Sequence, residues 1–96
     1  MPKTEREKML AGELYSAADP ELQRLLTLAR DRCHAYNQLR PGATEERRRR
    51  ILELFGRVGP NADIMPPFYC DYGSHIFAGD NLFMNYNCII LDCAQV

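Results

Sequence analysis

Residues 64–94 read IMPPFYCDYGSHIFAGDNLFMNYNCIILDCA. Apolar residues occupy every sixth position of this stretch, namely Ile64, Cys70, Ile76, Leu82, Cys88 and Ala94. An α-helix, with its 3.6 residues per turn, does not sustain that spacing, whereas short strands separated by corners do. Hexapeptide periodicity is typical of parallel β-helices, in which one position of each hexapeptide points inward. The stretch therefore predicts short strands wound into a coil.

Residues suited to corners recur between the predicted strands. They are Gly73, the tripeptide 79–81 (Gly-Asp-Asn) and the tripeptide 85–87 (Asn-Tyr-Asn). Gly, Asp and Asn are the residue types that tolerate a positive φ. If three hexapeptides close a coil, residues about eighteen apart stack, so that Ile64 lies under Leu82 and Cys70 under Cys88. Residues 58–96 then hold one coil and most of a second, which predicts an incomplete unit that ends inside a coil.

Charge divides the 96 residues into two unlike halves. Residues 1–50 carry 19 of the 25 charged side chains, whereas residues 51–96 carry six. The net charge is −1, and no apolar run approaches the roughly 20 residues of a bilayer span, so neither nucleic acid nor a membrane is an expected partner. The N-terminal stretch 1–8 is charged and lacks the apolar centre of a signal peptide, which makes the cytoplasm the predicted compartment.

The charged half predicts three helices. Thr4 and Glu7 form a capping box for a helix at about residues 4–11, and Asp19 followed by Pro20 starts a second helix. The second helix has one apolar face, formed by Leu22, Leu25, Leu26, Ala29, Cys33 and Tyr36. Thr44 starts a third helix, and Gly56 suits the position after its end. We therefore divide the chain into a helical segment, residues 1–57, and coils, residues 58–96.

The four arginines at 47–50 are interpreted as a solvated helix face. Four consecutive helical residues point in nearly four directions, so they do not converge on one phosphate. Glu45, Glu46 and Glu53 are spaced to pair with them. Binding of nucleic acid through this run is therefore the weaker interpretation.

Four stretches of the chain resemble the maltose/galactoside O-acetyltransferases of the hexapeptide-repeat acyltransferase superfamily. They are residues 7–15 (EKMLAGELY), 71–73 (DYG), 79–81 (GDN) and 85–88 (NYNC). The resemblance implies a left-handed parallel β-helix preceded by helices, assembled as a homotrimer with active sites between subunits. It implies acetyl transfer from acetyl-CoA, as co-substrate, to a sugar hydroxyl, without a metal.

The resemblance also assigns four acceptor-binding positions. Asn85 matches an asparagine that hydrogen-bonds the acceptor sugar, and Asp71 lies where maltose/glucose-type members have aspartate. Phe83 lies where the galactoside type has tyrosine, and Cys93 replaces an acceptor-binding aspartate of that type. A glucose- or maltose-type acceptor is therefore expected rather than a galactoside. The galactoside type has another acceptor-binding aspartate, near the position of Tyr15 in this chain. The chain has Asp19 close to that position, and we interpret Asp19 as a helix cap.

The family's catalytic histidine has no counterpart among residues 1–96. The resemblance places it, in a Thr-x-x-His-Pro-like setting, beyond Val96, together with the coils that hold coenzyme A. His34 and His75 match no catalytic position, so the expectation is no catalytic residue and no acetyl transfer by this chain alone. The alternative is a non-catalytic oligomerisation or interaction module.

The four cysteines lack the C-x-x-C and histidine spacing of a zinc site. Cys70 and Cys88 fall in one inward row, close enough to consider a disulfide between them. In a reducing cytoplasm we expect thiols that pack as small apolar groups, with Cys33 on its helix's apolar face in the same role.

Overall fold

Three helices precede four short strands in the computed structural model, which describes residues 2–96. The helices are α1 (Glu5–Leu10), α2 (Pro20–Asn37) and α3 (Thr44–Leu54). The strands are β1 (Asp63–Ile64), β2 (Phe68–Cys70), β3 (Phe83–Met84) and β4 (Cys88–Ile90). Within this range, no helix has both the length and the apolar composition that crossing a bilayer requires.

The helix starts follow the sequence signals. Thr4 Oγ1 accepts from the Glu7 amide and the Glu7 side chain accepts from the Thr4 amide, which confirms the capping box. Asp19 caps α2 through the amides of Glu21 and Leu22, with Pro20 as the first helical residue. The end of α3 differs from the prediction because the chain turns extended at Phe55, and Gly56 is not left-handed.

The strands pair in parallel, and every pairing joins residues twenty positions apart. Asp63 lies opposite Phe83 in the β1–β3 pair, and Cys70 lies opposite Ile90 in the β2–β4 pair. An isolated parallel bridge joins Arg57 to Phe77. The chain after α3 is thus one coil with a second coil stacked on it, as the hexapeptide pattern predicted.

The predicted stacking distance of about eighteen residues is wrong. The spacing of six holds across the buried residues Ile64, Cys70 and Ile76. Arg57 bridges to Phe77 and Asp63 pairs with Phe83, so the step across the corner at 79–81 is six residues, as in the first coil. The step from Tyr69 to Phe77 is eight residues, so the turn that contains Gly73 takes up the two extra residues and Cys70 does not stack under Cys88. Leu82 and Cys88 are half-buried against the core, and Ala94, also predicted to point inward, is exposed.

Left-handed residues form the corners. Asn61 and Asn81 have φ values of 64° and 60°, and the Asn61 Nδ2 donates to Asn81 Oδ1 at 3.2 Å, which links the two coils at this corner. Asn87 and Gly73 are left-handed as well, with φ values of 60° and 77°. The predicted corners are therefore confirmed at Gly73, Asn81 and Asn87.

The helices pack beneath the first coil and satisfy its backbone edge. Asn37 at the end of α2 donates from Nδ2 to the Phe68 carbonyl at 3.1 Å and accepts from the Phe68 amide at 2.8 Å. The Tyr36 hydroxyl and the Arg47 guanidinium both donate to the Ile64 carbonyl. Side chains from α2 and α3 thus supply the hydrogen bonds that a further strand would otherwise make with β1 and β2.

Arg47 corrects the interpretation of the arginine run. Its side chain is buried, at 4% exposure, and donates to the Pro41 carbonyl at 3.0 Å and to Asp63 Oδ1 at 2.7 Å. Arg48 donates to the Ala62 carbonyl at 3.3 Å, whereas Arg49 and Arg50 pair with Glu46. Only part of the run is a solvated face, because the first two arginines reach the coil.

Candidate acceptor site

Asp71 and Cys93 meet at one end of the β2–β4 pair. Asp71 directly follows β2, and Cys93 follows β4 after the apolar Leu91 and the buried Asp92. The Cys93 thiol donates to Asp71 Oδ2 at 3.4 Å. The other carboxylate oxygen of Asp71, Oδ1, makes no hydrogen bond to any residue in the range 2–96. This oxygen is available to accept a hydrogen bond from a ligand.

The Cys93 thiol stays protonated at neutral pH, so it adds no negative charge beside the Asp71 carboxylate. Burial raises the pKa of the Cys93 thiol, and the hydrogen bond to Asp71 raises it further. Hydrogen bonding to Cys93 also raises the pKa of Tyr15. At neutral pH both Cys93 and Tyr15 are therefore uncharged donors next to the Asp71 carboxylate.

Phe83 lies in the neighbouring β1–β3 sheet, and Asn85 lies between β3 and β4, at the other end of the β2–β4 pair. Phe83 is in β3 with 61% of its surface exposed, and Asn85 follows β3 and precedes β4. Asn85 is exposed, and its Oδ1 accepts from the Tyr86 amide at 2.9 Å. Seven residues, 86–92, separate Asn85 from Cys93, and the three of them that form β4 span about 10 Å at roughly 3.3 Å per residue. The structure brings Asp71 and Cys93 together, whereas no hydrogen bond within residues 2–96 links Asn85 to them.

The face between the two ends is apolar. Tyr69 and Ile89 lie opposite each other in the β2–β4 pair and are 50% and 64% exposed. Their neighbours Phe68 and Cys70 point into the core, as strand alternation requires. Asp71, Cys93 and Asn85 therefore flank an exposed apolar surface rather than line one closed pocket, and Phe83 lies on the neighbouring sheet.

A buried network lies behind Asp71, and sequence reasoning missed its main residue, Asp92. The Asp92 carboxylate is fully buried and accepts from the amides of Tyr72 at 2.9 Å and His75 at 3.2 Å. The signal was a carboxylate that directly ends the apolar run 88–91 in a half of the chain with few charges. Asp92 thereby holds the loop that follows Asp71 against the second coil.

His75 belongs to the same network. Its Nδ1 lies 2.8 Å from the Asp92 carbonyl oxygen, and its Nε2 lies 3.3 Å from an Arg6 nitrogen. A carbonyl only accepts and a guanidinium only donates, so the arrangement requires a neutral ring with the proton on Nδ1. His34, by contrast, is exposed on α2. Both ring nitrogens of His75 are therefore occupied by structural contacts.

A family model described as the maltose acetyltransferase hexapeptide capping motif matches residues 8–59. The chain belongs to this capping-motif family. The matched range covers the three helices that pack beneath the first coil, apart from the start of α1.

Relatives of this capping-motif protein extend the comparison over the whole chain. Nodulation protein L of Rhizobium meliloti (strain 1021) is 48% identical over 96 residues, which are 100% of this chain and 52% of the relative. A maltose O-acetyltransferase structure from Clostridium difficile 630 matches with a TM-score of 0.94 and 35% identity, covering 97% of this chain and 50% of that chain.

A structure of galactoside acetyltransferase in complex with coenzyme A matches with a TM-score of 0.86 and 32% identity, covering 95% of this chain and 46% of that chain. The chain thus spans about half the length of these relatives. The resemblance to maltose/galactoside O-acetyltransferases is confirmed.

Proposed function

We propose that this chain is the acceptor-side part of an acetyltransferase that moves acetyl from acetyl-CoA to a hydroxyl of a glucose- or maltose-type sugar. The observation that carries the proposal is the Asp71–Cys93 pair, in which one carboxylate oxygen is held and the other is available. Its setting in a capping-motif protein makes a sugar hydroxyl the ligand expected there. The coenzyme A of the galactoside acetyltransferase structure supports acetyl-CoA as the co-substrate.

Each proposed acceptor residue has one task in that reaction. The Asp71 carboxylate accepts a hydrogen bond from a sugar hydroxyl, and the Asn85 amide both donates and accepts. Phe83 offers an apolar face to the ring. Because Cys93 stays protonated beside Asp71, the site has one negative charge where an aspartate at 93 would add a second. This arrangement suits a neutral sugar.

The general base is proposed to lie outside residues 1–96. A sugar hydroxyl needs a base close to its proton, and acyl transfer also needs a donor to the oxyanion. His75 is 3% exposed with both ring nitrogens bonded, and His34 is on α2, away from the sheet face. We therefore assign no catalytic residue to this chain and expect the histidine in the family's Thr-x-x-His-Pro-like setting to act.

The finer architecture is part of the same proposal. The stacked parallel coils and left-handed asparagine corners support a left-handed β-helix that begins at residue 58, after the helical segment 1–57. The exposed Tyr69 and Ile89 between the two groups of site residues support a homotrimer, in which a neighbouring subunit covers this face. The cytoplasm remains the predicted compartment.

The test compares the chain with the product of its complete reading frame. Reading the coding DNA past the Val96 codon should show a histidine-bearing hexapeptide segment, and that product should acetylate glucose or maltose from acetyl-CoA. Asp71→Asn and Asn85→Ala should each raise the KM for the sugar about tenfold or more, since a lost hydrogen bond to a charged or amide group costs about 1.5 kcal/mol. The exposed corner variant Asp80→Asn is the matched control.

Two results would overturn this proposal. Acetyl transfer by residues 1–96 alone would show that the base lies within them. Unchanged sugar KM in both Asp71→Asn and Asn85→Ala would remove the assigned acceptor site.

The second candidate function is a non-catalytic oligomerisation or interaction module. The exposed apolar side chains of the second coil favour it, namely Phe83, Tyr86, Ile89 and Leu91. It predicts a concentration-dependent oligomer whose stability does not change when sugar or acetyl-CoA is added. A sugar-dependent rise in the unfolding temperature would favour the enzyme instead.

A further inference from the structure

Two buried thiols outside the candidate site lie against each other. Cys33 on α2 is 2% exposed and Cys70 on β2 is 8% exposed, and their Sγ atoms are 3.7 Å apart. The other two thiols have oxygen partners, since Cys88 donates to the Asn85 carbonyl and Cys93 donates to Asp71. Within residues 2–96, Cys33 and Cys70 are the only cysteines in sulfur–sulfur contact.

The environment makes the two sulfurs unequal. Hydrogen bonding from the Cys70 thiol lowers the pKa of Cys33 to about 7. The same hydrogen bond, together with burial, raises the pKa of Cys70. Cys33 is therefore the better nucleophile of the pair, because the thiolate is the reactive form of cysteine.

We propose that Cys33 and Cys70 form an oxidisable pair that closes to a disulfide between α2 and β2. The bond requires the two Sγ atoms to approach from 3.7 Å to about 2.05 Å. The Cys70–Cys88 disulfide considered from the sequence is wrong as a pairing, because Cys70 lies opposite Ile90 and Cys88 opposite Phe68 in the coil.

Hydrogen peroxide is the oxidant that the proposal names. The Cys33 thiolate attacks one peroxide oxygen, the O–O bond breaks, and the departing hydroxide takes up a proton to become water. The Cys70 thiol then attacks the Cys33 sulfenic sulfur, the S–O bond breaks, and a second water leaves with the proton of Cys70. Two thiols lose two electrons and two protons, and one peroxide becomes two waters.

Closure would join the helical segment to the coil. The loop between Cys33 and Cys70 contains α3 and β1, so the disulfide restricts that part of the unfolded chain. The expected effect is a higher unfolding temperature for the oxidised protein, which returns to the original value on reduction with dithiothreitol.

Peptide mapping tests the pairing directly. Cleavage before aspartate places each of the four cysteines on its own peptide, because Asp63 separates Cys33 from Cys70 and the cleavages at Asp71, Asp80 and Asp92 separate the other cysteines. The reduced protein is treated with peroxide, free thiols are blocked with iodoacetamide, and the digest is analysed by mass spectrometry. We expect a linked Cys33–Cys70 peptide within one chain that dithiothreitol separates.

The matched variants are Cys88→Ser, which should retain the link, and Cys70→Ser, which should leave Cys33 at the sulfenic stage. Wild-type mapping is decisive even if Cys70→Ser fails to fold. Oxidation of Cys88 or Cys93 without a Cys33–Cys70 link, or a link found only between two chains, would overturn the proposal. No sugar or acetyl-CoA enters the experiment, so its result is independent of the proposed activity.

Discussion

Gly56 shows how a single residue is constrained by close packing rather than by backbone conformation. A Cβ at this position would lie 2.3 Å from the Ser74 carbonyl oxygen and 2.9 Å from a ring carbon of Phe77. Its φ is not in the left-handed region. The chain therefore needs glycine because α3 passes into the first coil directly against the loop at Ser74.

Gly56→Ala should destabilise the protein by about 1–3 kcal/mol, because backbone or ring atoms must move to admit the methyl group. Urea unfolding measures the difference. Gly42→Ala is the control, since a Cβ at Gly42 meets nothing within 4 Å, and its effect should stay within about 0.5 kcal/mol. Equal midpoints for the two variants would contradict the packing argument.

Arg47 stabilises the fold by donating to two backbone carbonyls from a buried position. Arg47→Ala removes the donor to the Pro41 and Ile64 carbonyls, and we expect a loss of about 2–3 kcal/mol from the unsatisfied acceptors. The partner carboxylate of Asp63 is 38% exposed, so the ion pair itself adds little. Arg49→Ala, whose side chain is 64% exposed and pairs with Glu46, should be nearly neutral in the same denaturation assay.

Burial of Tyr72 makes the stability of the folded protein depend on pH in the alkaline range. Burial raises the pKa of Tyr72 from 10.0 to about 12 in the folded protein. Between these values the unfolded chain loses its phenolic proton while the folded protein keeps it, so stability falls as pH rises from about 10 to about 12. Thermal unfolding at pH 9 and pH 11 should show a smaller decrease in Tyr72→Phe than in the wild type. The same decrease in both proteins would exclude this contribution.

At the scale of the element, the helices cover the backbone edge that the first coil would otherwise expose to solvent. Asn37 uses both ends of its amide on Phe68 in β2, and α3 directs Arg47 and Arg48 to the carbonyls around β1. An open strand edge invites pairing with another chain. The helical segment thereby restricts growth of the coil to the opposite edge.

Asn37→Ala should cost about 2 kcal/mol, because the Phe68 amide and carbonyl lose their partner at a partly buried position. The amides of β2 should also exchange hydrogen faster relative to those of α3. Gln38→Ala serves as the control, because Gln38 is the next residue and its side chain is exposed. It should change neither the stability nor the exchange rate of the β2 amides. A Gln38→Ala variant as unstable as Asn37→Ala would point to helix termination instead of edge capping.

At the scale of the whole molecule, the inward side chains of the first coil are buried, whereas those of the second coil are only half-buried. Ile64, Phe68 and Cys70 are at most 8% exposed, and their partners Met84, Cys88 and Ile90 are partly exposed, while the outward Ile89 is 64% exposed. The helices cover the lower coil, but nothing within residues 2–96 covers the upper one. A surface of this kind favours association.

Self-association should therefore depend on this face. Sedimentation equilibrium of the chain should give a mass above 11.1 kDa that increases with concentration, consistent with the proposed trimer. Ile89→Asp should weaken association at least tenfold, and Leu14→Asp, at a residue that is 98% exposed on the N-terminal segment, should not. A constant monomer mass over the micromolar range would contradict the prediction.

The sequence alone determined the local structure, because its signals act over a few residues. The capping box at Thr4, the Asp19 cap, the left-handed corners and the inward spacing from Ile64 to Ile76 all depend on near neighbours in the chain. The resemblance carried by residues 7–15 and the corner tripeptides was enough to indicate the family. The four site residues remain proposals, although two of them, Asp71 and Cys93, are in contact.

Only the tertiary structure decided which coil positions stack and which side chains become buried partners. The twenty-residue register depends on the longer turn between Tyr69 and Phe77, whose length the period of six does not reveal. Burial of Arg47 and Asp92, and the contact of Cys33 with Cys70, join residues that are far apart in the chain. Such contacts follow from how helices and coils pack together, which no local pattern records.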